Sequence, residues 1–147
     1  MPICHEGDYV IDSPHVKSTR GARYHINDHL VWCPKFRRPV RVGKVGDRLQ
    51  ELLPEIATQW GFEILAQEVM PDHVHLFVSA PPKYSPADIA QRFKGATARY
   101  LRQEFPTEIN KHIGKTGTLW SPSYYVGTAG HVSEEVIKRY ILECQRI

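Results

Sequence analysis

Residues 62–79, FEILAQEVMPDHVHLFVS, decide how the rest of the chain must be arranged. They hold two runs rich in apolar and β-branched residues, 62–70 and 73–79, with only Pro71 and Asp72 between them. Runs of this kind indicate strands, and a short turn lets the second strand fold back beside the first. The sequence therefore predicts an antiparallel hairpin at the centre of the chain.

One strand and one helix precede this hairpin. Residues 24–33 are rich in aromatic and β-branched side chains and stop at Pro34, which is typical of a strand. Apolar residues then recur at spacings of three and four between residues 45 and 60, the period of a helix, and Gly61 is placed to end it. Because Pro54 lies inside this stretch, we expect it to bend the helix or to end it early.

A second helix follows the hairpin. Ser85 is followed by Pro86 and, three residues after the serine, by Asp88. A serine cap, a first-turn proline and an acidic side chain at the third position mark a helix start, with aspartate in place of the usual glutamate or glutamine. The pattern predicts a helix that runs to about Phe105.

The remaining chain contains one more strand and one more helix. Residues 120–126 are strand-like and are bordered by glycine-containing loops, and Ser133 with two following glutamates indicates the start of a terminal helix. The order β-α-β-β-α-β is that of the ferredoxin-like motif, here with one added C-terminal helix. We therefore predict an α+β fold with an antiparallel sheet, in which residues 1–22 form an N-terminal arm and residues 23–147 a single domain.

Composition limits the classes of protein to which the chain can belong. Its 147 residues, 41% of them hydrophobic, suffice for one domain with one core. The formal net charge of +3 permits a polyanionic partner without requiring one. Three widely spaced cysteines form no CxxC pair, which argues against structural zinc and favours a reducing compartment. Because there is neither a signal-peptide core nor an apolar run of ~20 residues, we expect a cytoplasmic protein that does not enter a membrane.

Two histidines on the second strand of the hairpin are the first candidates for chemistry. His73 and His75 occupy alternate positions, so both side chains face the same side of the sheet with ~6 to 7 Å of backbone between them. Both imidazoles can therefore bind one ion, although the pair is also compatible with two ordinary hydrogen-bonded strand histidines. A catalytic Mg²⁺ or Mn²⁺ held by two nitrogens would need a third ligand with an oxygen donor.

Tyr140 has two possible roles. It belongs to an apolar stripe on the predicted last helix, and such a stripe is typical of the core. A tyrosine at the edge of the stripe can instead attack a phosphodiester and conserve the bond energy in a phosphotyrosine, provided that a metal offsets charge on the phosphate oxygens. The residue types alone do not decide between these roles.

Basic side chains fall in two groups that could contact nucleic acid. Arg92 and Arg99 are seven residues apart and therefore share one face of the second helix. Each group could be an ordinary solvated surface. It could equally bind phosphates, because phosphate binding needs only such a cluster near a site. The candidate DNA-binding residues are Lys35, Arg37, Arg38, Arg92, Lys94 and Arg99.

The segment at residues 68–76, EVMPDHVHL, resembles the motif of the single-tyrosine HUH transposases encoded by the smallest prokaryotic insertion sequences. REP-associated tyrosine transposases share the same core. The resemblance continues through residues 29–37 (HLVWCPKFR), 93–95 (FKG), 119–124 (LWSPSY) and 136–141 (VIKRYI), and it covers about residues 22–145.

This resemblance implies a reaction and assigns residues to it. His73 and His75 would hold a divalent metal, Mg²⁺ or Mn²⁺, and Tyr140 on the terminal helix would be the nucleophile. A homodimer would bind single-stranded DNA with hairpin ends, cleave it to a 5′-phosphotyrosine and a free 3′-hydroxyl, and rejoin the ends to new partners. The terminal helix can supply its tyrosine to the histidine pair of the other subunit, for which Gly127 and Gly130 are suitable hinges.

The third metal ligand is left open between two residues. The family usually places a glutamine four residues after the tyrosine, but here that position is Cys144 and Gln145 follows it. On an ideal helix Gln145 is rotated ~140° from Tyr140, and Glu143 only ~60°. Helical geometry favours Glu143, whereas the resemblance favours Gln145, which a single-turn π-bulge would return to the tyrosine's face.

Three other functions compete with transposition. A related HUH nickase of replication or plasmid transfer shares the bond chemistry, although the small size and nearly end-to-end resemblance favour a minimal transposase. A catalytically inactive relative would retain nucleic-acid binding without metal-dependent cleavage. A metal-dependent enzyme acting on a small molecule would use the histidine pair and keep its activity in the Tyr140→Phe variant.

Overall fold

The computed structural model describes residues 16–24, 26–35, 43–128, 139–140 and 142. In chain order the elements are β1 (Lys17–Thr19), β2 (Ala22–Tyr24), β3 (Asn27–Trp32), α1 (Gly43–Trp60), β4 (Glu63–Met70), β5 (His73–Ser79), α2 (Pro86–Glu104), α3 (Pro106–Ile113) and β6 (Tyr125–Thr128).

Four of these strands form one antiparallel sheet in the order β4-β5-β3-β6. The hairpin predicted from residues 62–79 is present, with Val69 opposite Val74. Strand β3 lies on the other side of β5, and β6 lies beyond β3. Because α1 connects β3 to β4 and α2 precedes β6, this order confirms the α+β, ferredoxin-like β-α-β-β-α-β arrangement.

One side of the sheet is covered by helices and contains the core. Leu30 and Trp32 of β3 and Val74 and Leu76 of β5 have no exposed surface. Helix α2 packs on this side, where the ring of Phe93 lies 6.3 Å from that of Trp32. Because strand side chains alternate, the residues between these four point to the opposite side, which we call the histidine side.

Helix α1 continues through Pro54 instead of ending there. Pro54 has no N–H to donate to the carbonyl of Gln50 one turn earlier. The side-chain Nε2 of Gln67, on strand β4, donates to that carbonyl at 3.0 Å. The expectation of an early end was therefore wrong, because a side chain from the sheet replaces the missing backbone donor. Gly61, with φ 73°, follows the helix as predicted.

Helix α2 begins as its sequence predicts. The Oγ of Ser85 accepts from the backbone N–H of Asp88 at 3.0 Å, and the Asp88 carboxylate accepts from the backbone N–H of Ser85 at 3.2 Å. Both halves of the capping box are therefore present with aspartate in the place of glutamate. The helix ends at Glu104, one residue before the predicted position.

The strand predicted at residues 120–126 starts later than expected. Trp120 forms only an isolated bridge with Pro34, and the strand itself is Tyr125–Thr128. Two backbone hydrogen bonds hold this bridge: the N–H of Lys35 donates to the carbonyl of Leu119, and the N–H of Ser121 donates to the carbonyl of Cys33. The chain therefore passes the end of β3 before it joins the sheet.

Three further elements were not predicted. Strands β1 and β2 form a small antiparallel hairpin at residues 17–24, so the end of the expected N-terminal arm and the start of the first predicted strand belong to it. Helix α3 follows directly on α2, with Pro106 in its first turn. Within the described ranges, no helix has the length and apolar character needed to span a membrane.

The predicted last helix is described at three positions, Arg139, Tyr140 and Leu142, all of them helical. Its predicted start at Ser133 lies outside the described residues. Gly127, expected as a hinge, is paired with His29 inside the sheet, and Gly130 also lies outside the described residues.

Candidate active site

A row of four side chains crosses the histidine side of the sheet. Glu68 of β4 lies opposite His75 of β5, His75 lies opposite Val31 of β3, and Val31 lies opposite Tyr125 of β6. Directly paired residues in antiparallel strands point to the same side, so these four share the histidine side. His73, two residues before His75, lies on this side as predicted.

Asp72 holds the ring of His73. The Nδ1 of His73 lies 2.8 Å from the carboxylate of Asp72, which can only accept a hydrogen bond when ionised. Nδ1 therefore carries a hydrogen, and in the neutral ring the lone pair is on Nε2, which lies 3.8 Å from a carboxylate oxygen of Glu68. An imidazole held by a carboxylate through one nitrogen is typical of metal-binding histidines.

His75 contacts a third histidine. Its Nε2 lies 3.0 Å from Nδ1 of His29, a residue of the neighbouring strand β3. Burial, together with the neighbouring His29, lowers the pKa of His75 below its ordinary value of 6.5. His75 therefore remains a neutral imidazole at a lower pH than an exposed histidine, and the neutral form is the one that binds metal.

The histidine pair fits a divalent metal as an incomplete set of ligands. A carboxylate oxygen, such as that of Glu68, suits Mg²⁺ or Mn²⁺, whereas imidazole nitrogens suit a transition metal better than Mg²⁺. Within the described residues, however, no three histidine, cysteine, aspartate or glutamate side chains are gathered closely enough to hold an ion. Glu143 and Gln145, the predicted alternatives for the third ligand, lie outside the described residues, so the choice between them stays a prediction.

Tyr140 lies beside the far end of the row. Its ring centroid is 6.2 Å from that of Tyr125, and its hydroxyl lies 3.0 Å from the Oγ of Ser123. The side chain of Tyr140 is half-buried. Of the two roles predicted for Tyr140, neither is excluded by this placement, so the choice between them stays a prediction.

Lys94 on helix α2 holds the segment that contacts Tyr140. Its Nζ donates to the backbone carbonyls of Ser121 at 2.8 Å and Ser123 at 3.0 Å. A charged donor bonded to two carbonyls restrains this segment more than a neutral one would. The helix therefore positions Ser123, and Ser123 positions the tyrosine hydroxyl.

A cleft of about 590 Å³ lies between α2 and the segment around residues 117–122. Three of the predicted DNA-binding residues, Lys35, Lys94 and Arg99, line it together with Arg102. The guanidinium of Arg102 also donates to the carbonyl of Gly114 at 3.1 Å. The cleft is thus a cationic surface on the side of α2 that faces this segment.

Arg92, another predicted DNA-binding residue, does not line this cleft. The guanidinium of Arg92 lies 3.8 Å above the ring of Trp60, on α1. Arg37 and Arg38 lie outside the described residues. The helical spacing of Arg92 and Arg99 therefore did not place both side chains in one cleft, because Arg92 is directed towards the aromatic residues beside it.

The three residues that contact His73, His75 and Tyr140 by hydrogen bonds were not singled out from the sequence. Asp72 is adjacent to His73, and an acidic residue next to a candidate ligand is a signal that the sequence does contain. His29 and Ser123 had no such signal, because their partners are 46 and 17 residues away in the chain.

Known proteins match this chain along most of its length. Residues 22–144 match the family described as "Transposase IS200 like". The chain belongs to this family. The ISDra2 transposase TnpA of Deinococcus radiodurans is 42% identical over 133 residues, which cover 90% of this chain and 94% of that protein. The transposase of insertion sequence element IS200 from Salmonella typhimurium is 28% identical over 114 residues, 78% of this chain and 74% of that one.

Solved structures share the fold of this transposase. A crystal structure of a Deinococcus radiodurans R1 protein assigned as a transposase has a TM-score of 0.77 and 41% identity, and the match covers 88% of this chain and 97% of the other. A REP-associated tyrosine transposase bound to a REP hairpin has a TM-score of 0.51 and 14% identity, covering 78% and 61%. The family identified from the motifs is thereby confirmed, and the protein is an enzyme of DNA transposition.

Proposed function

We propose that this transposase cleaves and rejoins single-stranded DNA through a covalent bond between Tyr140 and a 5′-phosphate, with a divalent metal held by His73 and His75. The observation that carries the proposal is the row from His75 to Tyr125, beside which the ring of Tyr140 packs at 6.2 Å from that of Tyr125. Because neighbouring strands are ~4.8 Å apart, the backbones of His75 and Tyr125 are separated by roughly 10 Å. The proposal requires the metal on the histidines and the hydroxyl of Tyr140 to contact the same phosphate, which would lie over the middle of the row.

The proposed reaction exchanges one phosphoester for another. The phenolic oxygen of Tyr140 attacks the phosphorus, and the bond from phosphorus to the 3′ oxygen breaks. The hydroxyl of Tyr140 loses its proton to a proton acceptor or to water. The leaving 3′ oxygen takes up a proton and becomes a 3′-hydroxyl. Because the energy of the broken bond is kept in the 5′-phosphotyrosine, attack by another 3′-hydroxyl can rejoin the strand without an external source of energy.

The protein's own residues prepare both ends of this site. Asp72 fixes the ring of His73 through Nδ1, and Ser123 fixes the hydroxyl of Tyr140. A bound Mg²⁺ or Mn²⁺ would act as a Lewis acid that offsets charge on the phosphate oxygens. Glu143 or Gln145 would complete its ligands.

The proposal extends to the partners of the protein. A relative with the same fold is bound to a REP hairpin, which supports DNA with hairpin ends as the substrate here. Lys35, Lys94 and Arg99 line a cleft that suits a phosphate backbone. We also propose that the protein acts as a homodimer in the cytoplasm, which the family resemblance implies and which a measurement of mass in solution would check.

A covalent-adduct assay tests the proposal. The protein is incubated with single-stranded oligonucleotides from the flanks of its gene and Mn²⁺ or Mg²⁺, and adducts are separated on a denaturing gel. We expect an adduct that requires the metal and that falls by roughly three orders of magnitude or more in Tyr140→Phe, because phenylalanine has no nucleophilic oxygen.

Tyr125→Phe is the matched control for this assay. It removes a hydroxyl from the neighbouring ring, and the adduct should persist. An adduct that survives in Tyr140→Phe would exclude Tyr140 as the nucleophile. Hairpin binding without any adduct would indicate a relative that only binds DNA, and cleavage without joining to a second oligonucleotide would indicate a nickase.

A further inference from the structure

His29 is held in place on the histidine side of the sheet and meets His75 with one ring nitrogen. Its register partner is Phe77, so its contact with His75 crosses diagonally between strands β3 and β5. The ring of His29 stacks on Phe77, with centroids 4.2 Å apart and an interplanar angle of 16°. The ring orientation of His29 is therefore supported independently of His75.

The contact between the two histidines restricts which nitrogen of His75 can bind a metal. A neutral imidazole has one N–H and one nitrogen with a lone pair. The Nε2 of His75 lies 3.0 Å from Nδ1 of His29, a distance at which one of the two donates to the other. If Nε2 of His75 is the donor, the lone pair of His75 is on Nδ1. In His73 the two nitrogens have the opposite roles, because it is Nδ1 that carries a hydrogen and donates it to Asp72.

We propose that His29 is a positioning residue for His75: its Nδ1 accepts the Nε2–H of His75, so that Nδ1 of His75 is the nitrogen offered to the metal. This inference rests on the proposed function, in which His75 is a metal ligand. Residues that hold the second nitrogen of a ligating histidine fix its tautomer and orientation, and their loss typically costs 10- to 100-fold in metal affinity. His29 acts through His75 and is not itself a ligand.

The test measures Mn²⁺ affinity of the full chain in the absence of DNA. His29→Phe keeps a ring against Phe77 but removes the acceptor, and His29→Asn keeps a side-chain oxygen near the position of Nδ1. We expect His29→Phe to weaken Mn²⁺ binding about 10- to 100-fold and His29→Asn to stay within about threefold of the wild type. Asn27→Ala, on the same side of β3, is the control and should bind as the wild type does.

Two further measurements complete the test. Unfolding midpoints of all variants without metal show whether each one is folded, and ¹⁵N shifts of the His75 ring in the metal-free wild type show which nitrogen carries the hydrogen. We expect the hydrogen on Nε2. A hydrogen on Nδ1, or an equal loss of affinity in His29→Phe and His29→Asn, would overturn the assignment, the second because His29 would then be a ligand.

The outcomes separate this inference from the proposed function. If the wild type binds Mn²⁺ and His29→Phe binds it equally well, the positioning role is wrong and the metal-dependent reaction stands. If the wild type itself binds no Mn²⁺ and forms its adduct without metal, the proposed metal centre is wrong, and the proposed role of His29 is wrong as well.

Discussion

The two sides of the sheet are built from the same strands but differ in what holds their side chains. On β5, Val74, Leu76 and Val78 are fully buried against the helices. Alternating with them on the strand, His73 and His75 are held by hydrogen bonds to Asp72 and to a histidine of β3. Val74, Leu76 and Val78 are stabilised by the hydrophobic effect, which has no directional requirement. The positions of the two histidines depend instead on hydrogen bonds, which require a defined distance and angle.

This difference explains how one strand can serve both stability and chemistry. Burial of each large apolar side chain contributes about 1.5 to 3 kcal/mol, so Val74, Leu76 and Val78 supply stability that does not require the two histidines on the other side of β5. The histidine side is then able to hold imidazoles and a carboxylate. Substitutions on the two sides should therefore affect different measurable quantities.

The largest expected difference is between two neighbours, Leu76 and His75. Leu76→Ala should lower the free energy of unfolding by about 2 to 5 kcal/mol, because it leaves a cavity under the helices. His75→Ala should change it by less than about 1 kcal/mol but reduce adduct formation by about 100-fold or more. Urea unfolding and the adduct assay measure the two quantities. If His75→Ala unfolds the protein as easily as Leu76→Ala, the division between the sides is wrong.

A smaller effect should separate two cationic residues of α2. Arg99 and Lys94 line the same cleft, but Lys94 also donates to the carbonyls of Ser121 and Ser123. Arg99→Ala should weaken DNA binding and lower the slope of log affinity against log salt by about 0.7 to 0.9, the value for one phosphate contact. Lys94→Met should instead reduce adduct formation, because Ser123 then holds Tyr140 less firmly. Salt titrations of oligonucleotide binding provide the measurement, and an unchanged slope in Arg99→Ala would exclude the cleft as a phosphate site.

The sequence predicted the features that depend on how side-chain directions repeat along a single strand or helix. Alternation along residues 73–79 placed His73 and His75 on one side of a hairpin strand, and the Ser85 capping box placed the start of α2, as the structure confirms. The assignment of the chain to its transposase family from short motifs is confirmed by the matches along its length. Local period is informative because strand and helix geometry repeat over a few residues.

Features that depend on distant partners were not predictable. The contact between His29 and His75 joins strands 46 residues apart in the chain. Where α1 continues through Pro54, the side chain of Gln67 from β4 donates to the carbonyl that Pro54 leaves without a backbone donor. The roles of Tyr140 and of the third metal ligand stay predictions, because they concern chemistry and, for the ligand, residues that the structure does not describe.

Asp28 is an exception on the helix side and allows the smallest and most discriminating prediction. It lies opposite Val78, is 2% exposed, and has one carboxylate oxygen that bonds to no group within the described residues. Burial raises the pKa of Asp28 above its ordinary value of 3.8, and the neighbouring His29 opposes this shift only in part. The folded chain therefore binds a proton at Asp28 more readily than the unfolded chain does, so the stability that this site contributes is present below pH 3.8 and is lost as pH rises through the folded-state pKa.

At neutral pH the buried charge of Asp28 should therefore destabilise the fold. Asp28→Asn keeps the shape of the side chain without its charge, so the variant should be more stable than the wild type at pH 7, by less than the cost of Leu76→Ala. This advantage should shrink as the pH falls towards 3.8, where the wild-type carboxyl is protonated as well. Urea unfolding of both proteins at neutral and acid pH measures it. A variant that is less stable at pH 7 would mean that the carboxylate has a favourable partner outside the described residues, and that the helix side also depends on a directed polar contact.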